Sequence, residues 1–368
     1  MIFEFFTYFP FVAFALTMLV FVVPGCRALG LGTRAQAVWA MFLLFCFSKF
    51  FCYRTFGGNV FNPNLPMRVI WTWNFLYSGA MILFALSVAT MFFRFRGKMI
   101  VLPAVAWLLS AWGVWNGVKT PAVREVEIRC EGLPAALDGY RIVQIADIHV
   151  SSAAPRWRTE AIVEMANAAN ADLAVCTGDI VDGEVSRRRR DVEPIRNLKA
   201  RDGVFFVTGN HEYYNEWDDW KDVFDRWRMR FLRNECVFPR EGLALGGVDD
   251  EAVFRWRMKA EAPDVRGAFA AATNGEFRVL LQHRPLRFAE NAQFCGVDLQ
   301  LSGHTHGGVL PGLNMLVSLA NCGFVRGVYE SGSSRLYVSP GCGQWAGFPV
   351  RFFDDPEISV IVLRKPNI

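Results

Sequence analysis

The chain has 368 residues, more than one compact domain usually contains, and so favours two structural units. With 52% hydrophobic residues and a mean hydropathy of +0.21 it is too apolar for an ordinary soluble enzyme, and a dispersed net charge of +4 argues against nucleic acid as partner. Nine scattered cysteines without a CxxC spacing argue against a disulfide framework or a thiolate zinc site.

Charged residues concentrate after residue 120. Before it, residues 5–23, 35–52, 69–93 and 100–118 each approach the roughly 20 apolar residues that a helix needs to cross a bilayer. About four transmembrane helices are therefore expected. The first segment lacks the basic leader of a cleaved signal peptide and is followed by further apolar segments, so it reads as a span. Lys49, near the end of the second, is expected to snorkel to the interface. Asn74 and Ser78, inside the third, are expected to pair with other spans. The tightest basic connector holds Arg94, Arg96 and Lys98. Placing it in the cytoplasm puts the rest of the chain on the extracytoplasmic side, whereas Lys49, Arg54, Arg68, Lys119 and Arg124 favour the reverse. The expected organisation is a transmembrane region, 1–121, and a catalytic region, 122–368. No Gly/Ser linker separates them, which should hold the second near the headgroups.

After residue 140 the pattern becomes short apolar runs that end in polar residues. Residues 142–146 lead into Asp147 and His149. Residues 173–177 lead into Gly178, Asp179 and Asp182, and 204–208 into Gly209, Asn210, His211 and Glu212. Residues 279–282 end in His283, and 297–302 in Gly303, His304, Thr305, His306 and Gly307. Each reads as a buried strand followed by a loop. In α/β architectures such loops converge beyond the carboxyl ends of the strands, where ligands bind. Gly178, Gly209 and Gly303 suit chains that leave a strand sharply through backbone angles other residues resist.

All five histidines of the chain lie at these strand ends, beside carboxylates. One alone would read as a structural residue; five together read as ligands. Nitrogen and oxygen donors suit Mn²⁺, Zn²⁺ or Fe, and the ligand charge suits two divalent ions better than one.

The segments Asp147-Ile-His149, Gly178-Asp179-Ile-Val-Asp182, Gly209-Asn210-His211-Glu212, His283 and Gly303-His304-Thr-His306 resemble the five motifs of calcineurin-like metallophosphoesterases. The closing pattern Leu336-Tyr-Val-Ser-Pro-Gly, with Pro349, Arg351 and Pro356-Glu-Ile, is similar to a bacterial membrane-linked branch of that family. The resemblance implies a four-layer αββα sandwich. It gives Asp147, His149 and His306 to one metal, Asn210, His283 and His304 to the other, and makes Asp179 the bridge. It makes His211 the group that stabilises the transition state or protonates the leaving oxygen, and Asp182 a residue that orients an imidazole. The implied activity is hydrolysis of a phosphoester or pyrophosphate bond in a membrane lipid or lipid-linked nucleotide sugar such as UDP-2,3-diacylglucosamine, at a bacterial inner membrane. A general phosphodiesterase of the cell envelope and a non-catalytic membrane scaffold are the alternatives. Gly183 stands where phosphoprotein phosphatases carry arginine, and Val309 where the membrane-linked branch often has glutamine.

Three further features carry two readings each. The arginines at 187–190 read as a solvated stretch or a headgroup contact. Trp217, Trp220, Phe224, Trp227 and Phe231 recur at helical spacing, as core or as an interfacial helix. Trp345, Phe348, Phe352 and Phe353 pose the same choice, and Cys176, inside a strand, reads as an inert buried thiol.

Overall fold

The computed structural model describes residues 2–93, 97–255, 262–310, 312–352 and 354–366. Arg94, Arg96 and Phe353 lie outside the described residues. The chain divides into two compact units: Met1–Val118 with Trp345–Arg351, and Lys119–Gln344 with Phe352–Ile368.

In the first unit, apolar runs leave the backbone only itself as hydrogen-bond partner, and helices result. Helix α1 (Ile2–Thr17) passes through a π-helical turn at Met18–Val22 into α2 (Val23–Ala28), followed by α3 (Thr33–Phe47), α4 (Lys49–Gly57), α5 (Met67–Ala89) and α6 (Lys98–Val118). Tyr8–Ala28, Met67–Ala89 and Lys98–Val118 are long and apolar enough to span a bilayer; α3 and α4, bent by 49° at their junction, make a fourth candidate as a broken span.

The bend corrects one expectation. Lys49 does not snorkel: it is 0% exposed, and its Nζ donates to Asn74 Oδ1 at 2.6 Å. The rings of Phe50, Tyr77, Phe348 and Tyr53 lie 4.6, 4.7, 5.0 and 5.4 Å from the ammonium. Because α4 starts at Lys49 in a new direction, the side chain enters the bundle, where ring faces and an amide oxygen replace water. Asn74 also donates to Tyr53 Oη at 2.9 Å, the pairing across helices that its position called for. Ser78, by contrast, is buried with its Oγ unpaired.

The segment Trp345–Arg351 completes this unit. Phe348 packs against the apolar cluster of the helices, Arg351 N donates to Gly113 O at 2.9 Å, and a Cβ on Gly117 would come within 2.5 Å of Pro349 O.

The second unit holds two six-stranded sheets. Its strands are β1 (Ala122–Arg129), β2 (Arg141–Ile145), β3 (Leu173–Cys176), β4 (Val204–Phe206), β5 (Arg230–Phe231), β6 (Glu235–Arg240), β7 (Leu243–Gly247), β8 (Phe277–Leu281), β9 (Leu299–Ser302), β10 (Gly327–Ser331), β11 (Ser334–Val338) and β12 (Glu357–Arg364). One sheet runs β1-β12-β2-β3-β4-β5 and the other β10-β11-β9-β8-β7-β6. Alternation of side chains sends Ile142, Leu173 and Val175 into a layer shared with Leu245, Val279, Leu281 and Leu301 of the other sheet. Their neighbours Val143, Ala174 and Cys176 face the other way, against Ile162 of α7 (Arg156–Ala168), Val192 of α8 (Val185–Val192) and Trp220 of a later helix. Beyond the second sheet, Ala244 and Leu280 pack on Ala268 and Phe269. The result is a four-layer αββα sandwich, in which central strands such as β3, β7 and β9 are buried along their whole length while the edge strand β1 is mostly exposed.

Helix α9 (Asn210–Tyr214) and α10 (Trp217–Arg226) follow β4. Trp217, Trp220 and Phe224 of α10 are core residues, with Trp227 and Phe231 packed against them, so the aromatic stripe is core and not an interfacial face. The arginine run lies on α8, where Arg187 and Arg188 pair with Glu184 and Asp191 at 3.0 and 3.1 Å.

Trp220 ties α10 to the loop after β3, since its fully buried indole donates to Gly183 O at 2.8 Å. Trp220→Ala should destabilise the second unit by about 3–5 kcal/mol, the usual cost of an aromatic core deletion, read as a lower denaturant midpoint in the detergent-solubilised full chain.

Candidate metal centre

Strands β2, β3 and β4 pair in parallel, as do β8 and β9, so within each sheet the loops after these strands leave from one edge. The loops after β2 and β3 are bonded to one another beyond the strands. Asp147 N donates to Gly178 O, His149 N to Asp179 O, Val150 N to Ile180 O and Asp182 N to Val150 O, at 2.9–3.1 Å. Held so, Asp147, His149 and Asp179 take φ values of 52°, 49° and 52°, and His304 and His306, after β9, take 73° and 49°. Left-handed backbone is uncommon for residues with side chains and concentrates at functional sites.

The donors gather into adjoining sets. Asp147, His149 and His306 form one, and Asp179, His283 and His304 another, with the candidate ligand atoms of each within 4.8 Å of one another. Asp179 faces both: the same Oδ2 lies 3.6 Å from His149 Nε2 and 3.3 Å from His283 Nε2. Asp179, His149 and His211 make a third such group. Asn210 opens α9 directly after Gly209, where a Cβ would come within 2.2 Å of Asp179 Oδ1, so this turn is packed onto the carboxylate. Every sequence-predicted residue thus lies at or next to these sets.

Three imidazoles are aimed by their Nδ1 atoms. His283 donates to Thr177 O at 2.7 Å, His306 to Gly343 O at 3.1 Å, and His149 to Asp182 Oδ2 at 3.2 Å. With those hydrogens engaged, each Nε2 presents a lone pair inward when its ring is neutral, the form that binds a metal. His149 Nε2 and His306 Nε2 then face each other at 3.2 Å, and His283 Nε2 faces His304 Nδ1 at 3.2 Å. Neutral rings so opposed repel unless positive charge, a proton or a cation, lies between them. Two nitrogens bound at about 2.1 Å to one cation reach such a separation at a bond angle of roughly 100°.

Further observations fit the same demand. Asn210 Oδ1 is buried without a hydrogen-bond partner, an acceptor suited to a cation. Although burial pulls His283 down, the Asp179 carboxylate pushes it up to about 10. Against the same burial, Asp182 and Asp179 push His211 up to about 9. Asp182, which burial would raise, is held below the usual carboxylate range by His211 and His149. The cluster therefore fits a pair of divalent cations, with nitrogen and oxygen donors only.

Asp182 spans two imidazoles, taking His149 on Oδ2 and His211 Nδ1 on Oδ1, the latter at 2.5 Å. His211 N also donates to Asp179 Oδ1 at 2.8 Å, and its ring is partly exposed at the rim. Glu212 is a residue to which the sequence assigned no role. Fully buried, it accepts the N–H groups of Gly209, Asp179 and Ile180 at 2.7–2.9 Å and so locks the β3 and β4 loops together. Its place one residue after His211 was the available signal.

The glycines also need correction. Only Gly178 has the left-handed backbone expected of all three, at φ 91°; Gly209 has φ −105°. At Gly209 and Gly303 the constraint is space: a Cβ on Gly303 would come within 2.5 Å of Asp147 Oδ2.

The chain has relatives among known proteins. Residues 140–308 match the family model described as calcineurin-like phosphoesterase. A transmembrane protein with metallophosphoesterase domain from Danio rerio is 36% identical over 289 residues, covering 76% of this chain and 65% of that protein. An uncharacterized metallophosphoesterase of Helicobacter pylori is 33% identical over 256 residues, 69% of this chain and 67% of its own length. Another, from Bacillus subtilis, is 30% identical, covering 66% and 85%. Among solved structures, a dimetal phosphatase from Danio rerio aligns at 14% identity and a TM-score of 0.34, over 56% of this chain and 88% of that one.

Asp182→Asn should weaken metal binding by roughly 10- to 100-fold, the usual effect of losing a carboxylate that orients a histidine ligand. Equilibrium dialysis with elemental analysis measures it, and Asp191→Asn, on α8, should leave affinity unchanged.

Proposed function

The chain belongs to the calcineurin-like phosphoesterase family, and from that premise we propose that it is a membrane-anchored, two-metal hydrolase of phosphoesters. One observation carries the reading: a single oxygen of Asp179 lies between two sets of imidazoles. We assign Asp147, His149 and His306 to one divalent ion, Asn210, His283 and His304 to the second, and Asp179 to both. The candidate metals are Mn²⁺, Zn²⁺ and Fe. When bound, the ions would polarise the phosphoryl oxygens and lower the pKa of the attacking water.

The chain's own residues supply the rest. His211, at the rim, keeps a proton on its ring because Asp182 and Asp179 surround it with negative charge, and it delivers that proton to the departing oxygen. Asp182 fixes the ring that donates it. Glu212 holds the backbone of Asp179 and Gly209 so that the bridging carboxylate does not turn.

The substrate class follows from the tether. Apolar helices of spanning length in the same chain favour a substrate that resides in the membrane. We therefore propose a phosphoester or pyrophosphate bond of a lipid or lipid-linked nucleotide sugar, of which UDP-2,3-diacylglucosamine is the type. The reading takes residues 1–121 as the anchor and 122–368 as the catalytic region, at the bacterial inner membrane. The charge of the connector holding Lys98 favours an extracytoplasmic catalytic region.

His211→Gln should lower kcat by roughly 10²–10⁴-fold with two metals retained, and by less on bis(p-nitrophenyl) phosphate, whose leaving group needs little protonation. Asp179→Ala should abolish Mn²⁺-dependent hydrolysis of the same compound. Hydrolysis by Asp179→Ala at the parent rate would overturn the proposal.

A further inference from the structure

Residues 307–325, between His306 and Arg326, carry no charge. Within this run stands the helix Leu313–Ala320, none of whose residues is buried. Its large apolar side chains, Leu313, Met315, Leu316 and Leu319, are 37, 68, 61 and 80% exposed. Helices in proteins draw most of their stability from an apolar face packed on something else. This one has the apolar residues but packs none of them away, and such an exposed cluster marks a contact with another protein or with a membrane.

The position of the helix within the second unit says which. The segments on either side of it are held from behind: Phe352 N donates to Val309 O at 3.0 Å, Thr305 Oγ1 donates to Val325 O at 2.5 Å, and Arg326 pairs with Asp354. The buried amide of Asn321 closes the helix by donating to Val317 O at 2.9 Å. Phe352 is also where the chain returns to this unit from Trp345–Arg351, and Lys119 is where it first arrives from Lys98–Val118. Lys119 Nζ donates to Asp355 Oδ1 at 2.7 Å, and Arg158 Nη2 donates to the carbonyls of Lys119 and Cys342 at 3.1 and 2.6 Å. The points of entry, exit and return therefore share one edge of the second unit. The exposed helix springs from that edge, which the chain itself ties to helices long and apolar enough to span a bilayer.

We infer that the helix Leu313–Ala320 is a membrane-surface element whose leucines and Met315 enter the acyl-chain region of the bilayer that the spanning helices occupy. Its partner is lipid hydrocarbon and not a particular headgroup, because the run offers no charge with which to recognise one. Eight residues are far short of a span and suit shallow insertion. The insertion stands apart from the phosphoesterase reading and needs no hydrolysis.

The test is lipid quenching of a fluorophore on the full chain, reconstituted in phosphatidylcholine vesicles with and without nitroxide-bearing lipid. Cys322→Ser removes the exposed cysteine and supplies the blank. In that background an NBD dye is placed on Leu316→Cys or, as control, on Phe238→Cys, a position 48% exposed on β6, at the opposite edge of its sheet from β10. The nitroxide lipid should quench the dye at the Leu316 position roughly twofold or more above the control, and aqueous iodide should quench it less than the control. The same result in Asp179→Ala is expected, which keeps the outcome separate from that of hydrolysis. Equal quenching of the two positions by the lipid overturns the proposal, as does equal access of iodide to both. A dye shielded from both quenchers also overturns it, since a second copy of the chain would then cover the helix. Should Leu316→Cys fail to fold, the dye on Met315→Cys gives the same reading.

Discussion

A carboxylate that must face two sets of imidazoles at once constrains everything around it. Asp179 Oδ2 lies 3.6 Å from one ring nitrogen and 3.3 Å from another, and those rings belong to different sheets. His149 follows β2, and His283 follows β8. Only a sandwich that brings the carboxyl ends of strands from both sheets together can satisfy that requirement. The shared layer between the sheets, filled by residues such as Val175, Leu281 and Leu301, fixes their separation. Core packing and site geometry are in this sense one problem, because closely packed interiors transmit a shift of a methyl group to whatever they support.

Local strain is the counterpart. Five of the ligand candidates occupy left-handed backbone, a conformation that costs a residue with a side chain on the order of 1–3 kcal/mol. The surrounding bonds over-determine it. The β2 and β3 loops are laced to each other by backbone bonds, Glu212 accepts the N–H groups of Gly209, Asp179, Ile180 and Val181, and Gly209 and Gly303 allow the chain to pass within contact of Asp179 and Asp147. The rigid pieces lie in the strands and the strained ones at their tips, so stability is concentrated behind the chemistry and spent where donors must converge.

Much of this was legible in the sequence, for a physical reason. Buried parallel strands are short apolar runs, and a run that stops at Asp, His or Asn marks both the element and its functional end. The spans were legible too, since length and apolarity alone define them. What escaped was whatever depends on direction or on distant partners. Lys49 looked like a snorkelling residue because the bend at Ser48 leaves no local signature, and Ser78 and Asn74 were alike in sequence although only Asn74 finds partners. The roles of Gly209 and Gly303 as space were confused with conformational freedom, because the atoms they avoid come from other parts of the chain. The carbonyls of Thr177 and Gly343, which aim two imidazoles, belong to the backbone and have no residue type to betray them.

The heptapeptide Trp345–Arg351 belongs to the helical unit although it lies more than two hundred residues after the last helix of that unit. Phe348 and Pro349 rest in a bed made by Met1–Val118, against the helical cluster and the glycine step at Gly117. A fragment trimmed to begin at Lys119 would carry this greasy ribbon bare, an invitation to self-association in water. Grafting the phosphoesterase unit onto a foreign anchor would meet the same obstacle: the replacement has to provide a matching cradle, so the two parts are not freely interchangeable modules.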